Sequence, residues 1–418
     1  MKTNIINRLR PFALMASLAL TLANQTAAQS YDTNNVMVQT FAGGAIPGYL
    51  NGQGQLALFD NPSQIVADTS GNLFVFDSGN QVIRKITPNG TVSTFVGGGN
   101  QVEGYGTNVS FSVWGAYGTM KIDHANTIWF LTYYGGATWL LRISPDGYVS
   151  TENAGLPGMN YTSSDICFDS ANYLYYSASA AHRIYRYNPN IAVSEVFAGS
   201  GVNGLVDGNG IFSAFSSPTA MVCDPADNVY VLQSNGGYLR KIDQGRNVTT
   251  FATNSAAAPL AIPQYIDNSG NIVCVSGNGI AASYVSKITA TRNVLLFAGA
   301  LSGTGYANGV GSSARFDRVT SACFAQGAIF VTDRLNNRIR QISFNPQPQI
   351  VDGANLGIAT YAGVTITGAV GRTYQIQSSS NLSNWTPRTS LLLTTSPYLW
   401  IDQNPVSGSK FYRALLIP

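Results

Sequence analysis

Residues 64–90, QIVADTSGNLFVFDSGNQVIRKITPNG, contain the pattern that decides the fold. Three short apolar runs alternate with turn-forming clusters, and residues 91–99, TVSTFVGGG, add a fourth run that ends in glycines. Short runs rich in Val, Ile and Phe between Gly, Asn and Asp clusters are typical of β-strands joined by tight turns. The stretch therefore predicts four consecutive antiparallel strands.

The same four runs recur along the chain. The fourth run has its anchor at Phe41, Phe95, Glu152, Phe197, Phe251 and Phe297, and successive anchors are 54, 57, 45, 54 and 46 residues apart. Four short strands in each such interval are typical of one blade of a β-propeller. The composition agrees, because 10% charged residues and 43 glycines suit strands and tight turns rather than a coiled coil or long helices.

The number of strands predicts how the propeller closes. The first three strands occur six times, beginning near residues 64, 119, 165, 220, 264 and 321, and the last set stops at Phe344 without a fourth strand. A fourth-strand run without preceding strands lies at residues 36–44. If this run pairs with the last sheet, no sheet edge is left open to aggregation. We therefore expect an all-β fold with a six-bladed β-propeller closed by an N-terminal strand.

Glycine-rich loops join several of the predicted blades. They read GGAIPGYLNGQGQLALFDNP at 43–62, GSGVNGLVDGNGIFSAFSSP at 199–218 and GALSGTGYANGVGSSARFD at 299–317. The spaced glycines predict turns with positive φ, and the Phe that follows predicts an aromatic plug. With the D-x-x-G-N, V-x-D-x-x-N and I-R-K-I patterns, residues 36–346 resemble the NHL-repeat (TolB-like) propellers in their secreted bacterial form. The first, fourth and sixth units carry this resemblance most sharply.

The first 28 residues look like a secretory signal peptide. Three basic residues precede an apolar run at 11–23, and small residues at 26–28 follow it, which predicts cleavage before Gln29. This run is too short to span a bilayer, where about 20 residues are needed. We expect a secreted or periplasmic protein without a membrane span. Nucleic acid is not an expected partner, because no basic stripe is present.

Residues 349–418 predict a second, smaller domain. A Pro-rich linker, Asn345-Pro346-Gln347-Pro348, ends the propeller pattern, and short alternating runs follow it, as in a small β-sandwich. The segment YQIQSSSNLSNW at 374–385 and the closing FYR at 411–413 resemble C-terminal fibronectin-like modules of secreted bacterial proteins. The resemblance implies a tether, a spacer or a binding module. We expect its aromatic core to contain Trp385, Trp400 and Tyr412.

Two polar patterns repeat with the predicted blades. An aspartate precedes the first tight turn at Asp68, Asp123, Asp169, Asp224 and Asp267. Metal binding or acid–base chemistry is one reading, but a carboxylate in nearly every blade favours hydrogen bonding to the backbone of its own turn. Third strands carry Arg84, Arg240 and Arg340, and second strands of the first and last blades end at Asp77 and Asp333. These residues predict ion pairs between neighbouring strands.

The alternation of strand direction places the fourth-to-first and second-to-third connections on one face. The aromatic residues on these connections are Tyr49, Tyr105, Tyr133, Tyr134, Trp139 and Tyr306. An aromatic, weakly charged surface suits a protein or carbohydrate partner, although the same rings could pack the loops against one another. The sequence therefore predicts a non-catalytic binding or scaffold protein with an extracellular or periplasmic protein or carbohydrate as partner.

A divalent-cation-assisted hydrolase or lyase is the alternative. The NHL-like lyase of peptide amidation depends on several histidines, whereas this chain has only His124, in a turn, and His182, in a loop. Lactonase-type six-bladed propellers use a Glu, Asn and Asp set, but Glu103, Glu152 and Glu195 are predicted in or beside outer strands. Calcium is compatible with Asp and Asn oxygens, yet no ligand loop is visible. We therefore predict no catalytic residues and no cofactor.

The four cysteines stand far apart inside apolar runs, at Cys167, Cys223, Cys274 and Cys323. This setting predicts buried thiols, with one disulfide as the alternative in an exported protein. The lack of a C-x-x-C pair argues against metal binding through cysteine.

Overall fold

A computed structural model describes residues 36–111, 118–134, 137–152, 156–160, 164–233, 237–254, 259–276, 282–344, 363–396, 398–401 and 411–417. The chain divides into two compact units, Met1–Gln347 and Pro348–Pro418. The predicted signal peptide and the Pro-rich linker lie outside the described residues. None of the helices in the described ranges has the length and hydrophobicity needed to cross a membrane.

The first unit consists of short antiparallel strands in six sheets, which we number in chain order. Strand β1 (Val36–Ala42) comes first. Sheet 1 contains β2 (Gly52–Gln53), β3 (Pro62–Ala67), β4 (Leu73–Asp77), β5 (Val82–Ile86) and β6 (Thr91–Gly97). Sheet 2 contains β7 (Gly104–Tyr105), β8 (Thr119–Ile122), β9 (Ile128–Tyr134), β10 (Ala137–Ile143) and β11 (Tyr148–Glu152). Sheet 3 contains β12 (Ile166–Phe168), β13 (Leu174–Ala178), β14 (Arg183–Asn188) and β15 (Val193–Ala198).

The other three sheets follow the same plan. Sheet 4 contains β16 (Gly208–Asn209), β17 (Pro218–Cys223), β18 (Val229–Gln233), β19 (Tyr238–Ile242) and β20 (Asn247–Thr253). Sheet 5 contains β21 (Ile262–Ile266), β22 (Ile272–Val275), β23 (Ser283–Ile288) and β24 (Val294–Ala300). Sheet 6 contains β25 (Gly309–Val310), β26 (Val319–Ala325), β27 (Ala328–Asp333) and β28 (Arg338–Phe344), together with β1. Short 3-10 helices lie at Gly54–Leu56, Gly106–Asn108, Ser179–Ala181, Gly210–Phe212, Gly311–Ser313 and Arg334–Asn336.

The sheets are arranged in a ring. The inner strands β3, β8, β12, β17, β21 and β26 each contact the next one along the chain, and β26 contacts β3. Strand β1 pairs antiparallel with β28, from Val36 opposite Phe344 to Ala42 opposite Ile339. The predictions of a β-propeller and of an N-terminal strand that completes the last sheet are both confirmed.

The hydrophobic core lies between the sheets. Six clusters of buried side chains form, and each contains residues from two neighbouring sheets, including one cluster from sheets 6 and 1. For example, Phe76 of sheet 1 packs on Phe130 of sheet 2 with ring centroids 4.7 Å apart. Strands buried on both faces explain why the runs in the sequence are almost continuously apolar.

Four of the sheets have a fifth strand that the sequence did not predict. The two-residue strands β2, β7, β16 and β25 each add to the outermost strand of their sheet. They come from the connections between sheets, and two residues are too few to show an alternation of apolar and polar side chains. Each one covers part of an otherwise open sheet edge.

The repeated aspartates hold the first tight turns, as predicted. Asp68 Oδ1 accepts hydrogen bonds from the backbone N–H groups of Ser70 and Asn72, at 3.0 and 2.8 Å. The same two backbone bonds recur at Asp123, Asp169, Asp224 and Asp267. Because each carboxylate accepts hydrogen bonds within its own turn, a role in stabilising the turn is favoured over acid–base chemistry.

Glycine ends several outer strands because no other residue fits there. Gly43, Gly199 and Gly299 follow the fourth-strand Phe by two residues and have φ values of 100°, 100° and 84°. A Cβ atom at any of them would lie 2.5 or 2.6 Å from a backbone oxygen of the neighbouring strand region. The predicted positive φ is confirmed, and close backbone approach adds a second reason for glycine.

The second unit contains two small antiparallel sheets. One pairs β29 (Gly363–Ile366) with β32 (Tyr398–Ile401), and the other places β30 (Thr373–Ser379) between β31 (Thr386–Leu392) and β33 (Phe411–Leu416). Its buried core consists of Ile366, Ile376 and Leu393. Trp400 packs against this core, as expected, whereas Trp385 lies on the Arg413 guanidinium at 4.3 Å.

Candidate functional site

The candidate site is built on the four connections that contain the extra strands. We call residues 43–61, 98–111, 199–217 and 301–318 the long loops. Each leaves the outer strand of one sheet, adds its two-residue strand to the next sheet, makes a 3-10 turn and continues towards the inner strand. The long loops therefore run over the outer edges of the sheets. They do not lie only on one face of the propeller, as the sequence led us to expect.

A fully buried arginine holds three of the long loops in place. In sheet 1, the Arg84 guanidinium donates hydrogen bonds to the Leu50 and Leu58 carbonyl oxygens, at 2.9 and 3.1 Å, and to Asn51 Oδ1 at 2.7 Å. Arg240 and Arg340 make the equivalent three contacts in sheets 4 and 6. Because backbone carbonyls in the loop need donors, each arginine fixes the loop's path.

The predicted aromatic plug packs on this arginine. The guanidinium carbon lies 5.2 Å from the ring centroid of Phe59 in sheet 1, and the matching distances are 5.3 Å to Phe215 and 5.2 Å to Phe316. A cation stacked on an aromatic face in a dry environment gains electrostatic attraction. The recurring small residue and Phe in the loops thus serve the arginine, a role that the sequence pattern alone did not reveal.

The predicted ion pairs between strands are confirmed in sheets 1 and 6. Arg84 pairs with Asp77 at 3.0 Å and Arg340 pairs with Asp333 at 2.6 Å, and all four side chains are fully buried. Burial raises the pKa of both carboxyl groups to about 6, against the opposing effect of the arginines and of backbone N–H donors. Arg240 instead pairs with the half-exposed Asp207 of its long loop, at 2.6 Å.

Two of the predicted binding residues lie over the buried arginines. Tyr49 has its ring centroid 4.9 Å from Arg84, and its hydroxyl group lies 2.6 Å from Thr94 Oγ1. Tyr306 has its ring centroid 4.8 Å from Arg340, and its hydroxyl group lies 2.8 Å from Thr40 Oγ1. Both rings keep about half of their surface in solvent, at 55% and 42%. They cover the loop anchors and present an aromatic face at the same time.

The other predicted aromatics fall in different surroundings. Tyr105 lies on β7 at the outer edge of sheet 2, is 57% exposed and packs on Tyr148 with ring centroids 4.8 Å apart. Trp139 is partly buried and packs against the cluster between sheets 1 and 2. Tyr133 and Tyr134 belong to β9, but their side chains lie outside the described residues. The four aromatic side chains that the structure describes, those of Tyr49, Tyr105, Trp139 and Tyr306, therefore do not converge on one site.

A cavity of about 240 Å³ lies beside Tyr49. Its lining comes from the long loops that enter sheets 1 and 2 and from neighbouring positions of sheet 1: Tyr49, Asn80, Val82, Gly97, Gly98 and Thr107. Asn80 is held in place there, since its amide nitrogen donates to the Gly48 carbonyl oxygen at 2.9 Å and to Asp77 at 2.8 Å. An aromatic face, an amide and a hydroxyl group around a small cavity can recognise a polar ligand.

The long loops also expose many apolar side chains. Large aliphatic residues and Phe with more than a third of their surface in solvent are Ile46, Leu50, Leu56, Val102, Val202, Leu205, Val206, Ile211, Phe212, Leu301 and Val310. Phe212 is the most exposed of them at 77%. Exposed apolar groups recurring on corresponding loops are typical of a binding surface.

Both histidines have structural positions. His182 adopts a left-handed conformation with φ of 53°, and its Nδ1 accepts a hydrogen bond from the Ser217 backbone N–H at 3.1 Å. His124 lies in the first turn of sheet 2 and lines a second cavity, which is formed by the inner strands. Within the described part of the chain, no three His, Cys, Asp or Glu side chains are grouped as metal ligands.

The glutamates lie at the outer edges of the sheets, as predicted. Glu152 is in β11, Glu195 is in β15, and Glu103 immediately precedes β7. Glu103 accepts a hydrogen bond from the Thr151 backbone N–H at 2.8 Å. Glu195 pairs with Arg186 at 2.5 Å. None of these three carboxylates lines the cavity between the inner strands.

Comparisons with known proteins support the fold. No family model matches the chain, and no curated protein sequence matches it. A Bacteroides thetaiotaomicron protein of unknown function is 16% identical, with 74% of this chain and 76% of that chain covered and a TM-score of 0.54. A candidate phosphatase from the same organism is 13% identical, with 75% and 79% covered and a TM-score of 0.51.

A third solved structure belongs to a named enzyme. Virginiamycin B lyase from Staphylococcus aureus is 12% identical, with 74% of this chain and 99% of that chain covered and a TM-score of 0.46. At these identities the similarities establish the β-propeller class alone, because one fold hosts many unrelated functions.

Proposed function

We propose that this chain is an exported, non-catalytic binding protein that recognises a protein or glycan partner through its long loops. The observation that carries the proposal is the set of exposed apolar side chains repeated on all four long loops, next to a small cavity beside Tyr49. Anchoring by buried arginines supports it, since loops held rigidly lose little entropy on binding.

The recurring polar side chains bond to other parts of the protein, which supports a binding role over catalysis. The repeated aspartates hold turns and the buried arginines hold loops. Glu103 bonds to the outer strand β11, and Glu195 pairs with Arg186 of β14. A general acid or base must reach a substrate within hydrogen-bonding distance. Nothing in the described residues specifically favours the alternative of a cation-assisted hydrolase or lyase.

The test is a loss of binding when the exposed apolar groups are removed. The full chain is probed against a glycan panel and against purified cell-envelope proteins, and I211S/F212S is compared with the wild type. Both side chains are exposed, so we expect unchanged thermal unfolding but binding weakened about tenfold or more.

The matched control is I191S/V193S, which removes two exposed apolar side chains outside the long loops, one from the turn between β14 and β15 and one from the first residue of β15. This control should bind like the wild type. If both variants bind equally well, or if both lose binding to the same extent, the long loops are not the binding surface.

A further inference from the structure

A second cavity lies at the opposite end of the inner strands from the long loops. It has a volume of about 290 Å³ and is lined by the last residues of inner strands from all six sheets. The chain has four cysteines, six methionines and two histidines, and half of these side chains line this one cavity: Met120, His124, Cys167, Met221, Cys223 and Cys323. Sulfur and imidazole donors are thus concentrated at one place.

Three of the sulfur-containing side chains come together between sheets 3 and 4. Met221 and Cys223 are two residues apart on β17, so their side chains lie on the same face of that strand. Cys167 comes from the neighbouring inner strand β12, and all three pack in the same hydrophobic cluster. Strands β12 and β17 are in contact, and Cys167 and Cys223 both line the cavity. Two thiols and a thioether therefore meet at the wall of the cavity.

We propose that Cys167 and Cys223 bind one Cu⁺ ion as thiolates, with the thioether of Met221 as a third ligand. Thiolate and thioether sulfur atoms are soft donors that select Cu⁺. Each thiol loses its proton to solvent through the cavity and forms one sulfur–copper bond. The ion stays Cu⁺ throughout, so no oxidant or reductant takes part.

The surroundings favour a soft monovalent ion over zinc. A structural zinc site needs four strong ligands, and the described residues contain no group of three His, Cys, Asp or Glu placed for a metal.

Charged side chains of both signs lie near the two cysteines. The carboxylates of Asp169 and Asp224 interact electrostatically with the Cys223 side chain and attract an incoming cation. Lys121 lines the same cavity, where its ammonium group pairs with Asp165 at 3.4 Å. A positive charge in the lining of this cavity partly offsets the negative charge of a bis-thiolate copper complex.

The test is copper capture by the reduced full chain without oxygen. Cu⁺ is supplied together with bicinchoninate, a coloured competing chelator, and the copper taken from it is measured by absorbance. We expect the wild type to capture one Cu⁺ per chain, and C167S and C223S to bind it about tenfold or more weakly. M221L keeps the side-chain volume without the thioether and should weaken capture less than either cysteine variant.

The matched control is C274S, because Cys274 is buried between sheets 4 and 5 and does not line the cavity. It should capture copper like the wild type. Thermal unfolding of each variant separates a lost site from a lost fold, and X-ray absorption should show sulfur as the nearest neighbour of the copper. Equal capture by C167S or C223S and the wild type, or equal loss in C274S, would overturn the proposal.

Discussion

Sheets 1, 4 and 6 share one residue of the third strand that sheets 3 and 5 lack. The former have Arg84, Arg240 and Arg340 there, whereas the register of the strands places Tyr185 and Ser286 at this position in the latter. The sheets with arginine have a long loop and a fifth strand, and sheets 3 and 5 have four strands. The difference indicates that the arginine serves the loop rather than the sheet.

Sheet 2 has a long loop without the buried arginine. It has a long loop and a fifth strand, but Leu141 occupies the arginine position opposite Thr151. Glu103 of the loop bonds instead to the Thr151 backbone N–H, much as Asp207 bonds to the Thr250 backbone N–H in sheet 4. A long loop can thus be held from its outer side alone, and substitutions can measure how much the buried arginine adds.

The largest effect is expected from R84M. It leaves Asp77 buried without its cation and deprives three acceptors in the long loop of their donor, so the free energy of unfolding at pH 7 should fall by about 3–5 kcal/mol. Urea unfolding measures the loss. The control R142M removes a partly exposed arginine whose carboxylate partner is 3.7 Å away, and it should cost less than about 1 kcal/mol. Equal losses would show that burial of the pair is unimportant.

The buried carboxylates predict a pH dependence of stability in sheets 1 and 6. The folded pKa of Asp77 is about 6, above the unfolded value of about 3.9, so between these pH values the folded chain holds more protons than the unfolded chain. The contribution of Asp77 to stability is therefore present below pH 4 and is lost as the pH rises through 6, by up to about 3 kcal/mol.

Comparison with D77N isolates this contribution, because other titrating groups cancel. The wild type should gain stability relative to D77N as the pH falls from 7 to 4, in urea unfolding at each pH. A difference that stays constant across this range would mean that Arg84 keeps the pKa of Asp77 near its ordinary value. D333N should behave like D77N, since Asp333 has the same surroundings in sheet 6.

The next smaller effect is expected from R240M in sheet 4. Gln233 ends β18 where Asp77 ends β4, so no buried carboxylate loses its partner, and Asp207 is half exposed. The Ala214 and Val206 carbonyl oxygens still lose their donor, which predicts a loss of about 1–3 kcal/mol. A loss in R240M as large as that in R84M would show that the loop carbonyls, and not the ion pair, dominate the anchor.

Much of the propeller follows from the sequence, because each strand is short, apolar and bounded by residues with a definite turn role. The Asp68 turn and the Arg84–Asp77 pair were predictable for this reason. The partners of Arg84 in the long loop were not, since two of them are backbone carbonyls, which leave no mark on residue identity.

The candidate sites were harder to predict. Tyr49 and Tyr105 are both exposed, but the sequence could not show that Tyr49 covers Arg84 while Tyr105 lies on a short edge strand. Cys167 and Cys223 are 56 residues apart, and only the contact between two inner strands brings their thiols together. Sequence spacing reveals metal ligands within one turn or one hairpin, not across two sheets.

The smallest effect is expected from E103Q in sheet 2. Glutamine keeps an oxygen acceptor for the Thr151 backbone N–H and removes only the charge. Because the site is exposed, the free energy of unfolding at pH 7 should fall by less than about 1 kcal/mol.

The contribution of Glu103 also depends on pH. Hydrogen bonds from Thr151 lower the pKa of Glu103, so its small contribution is present at neutral pH and is lost as the pH falls through the folded pKa. The difference between E103Q and the wild type should therefore vanish in acid, whereas that between D77N and the wild type should change in favour of the wild type. If E103Q costs as much as R240M, the outer contact alone holds a long loop as firmly as a buried arginine does.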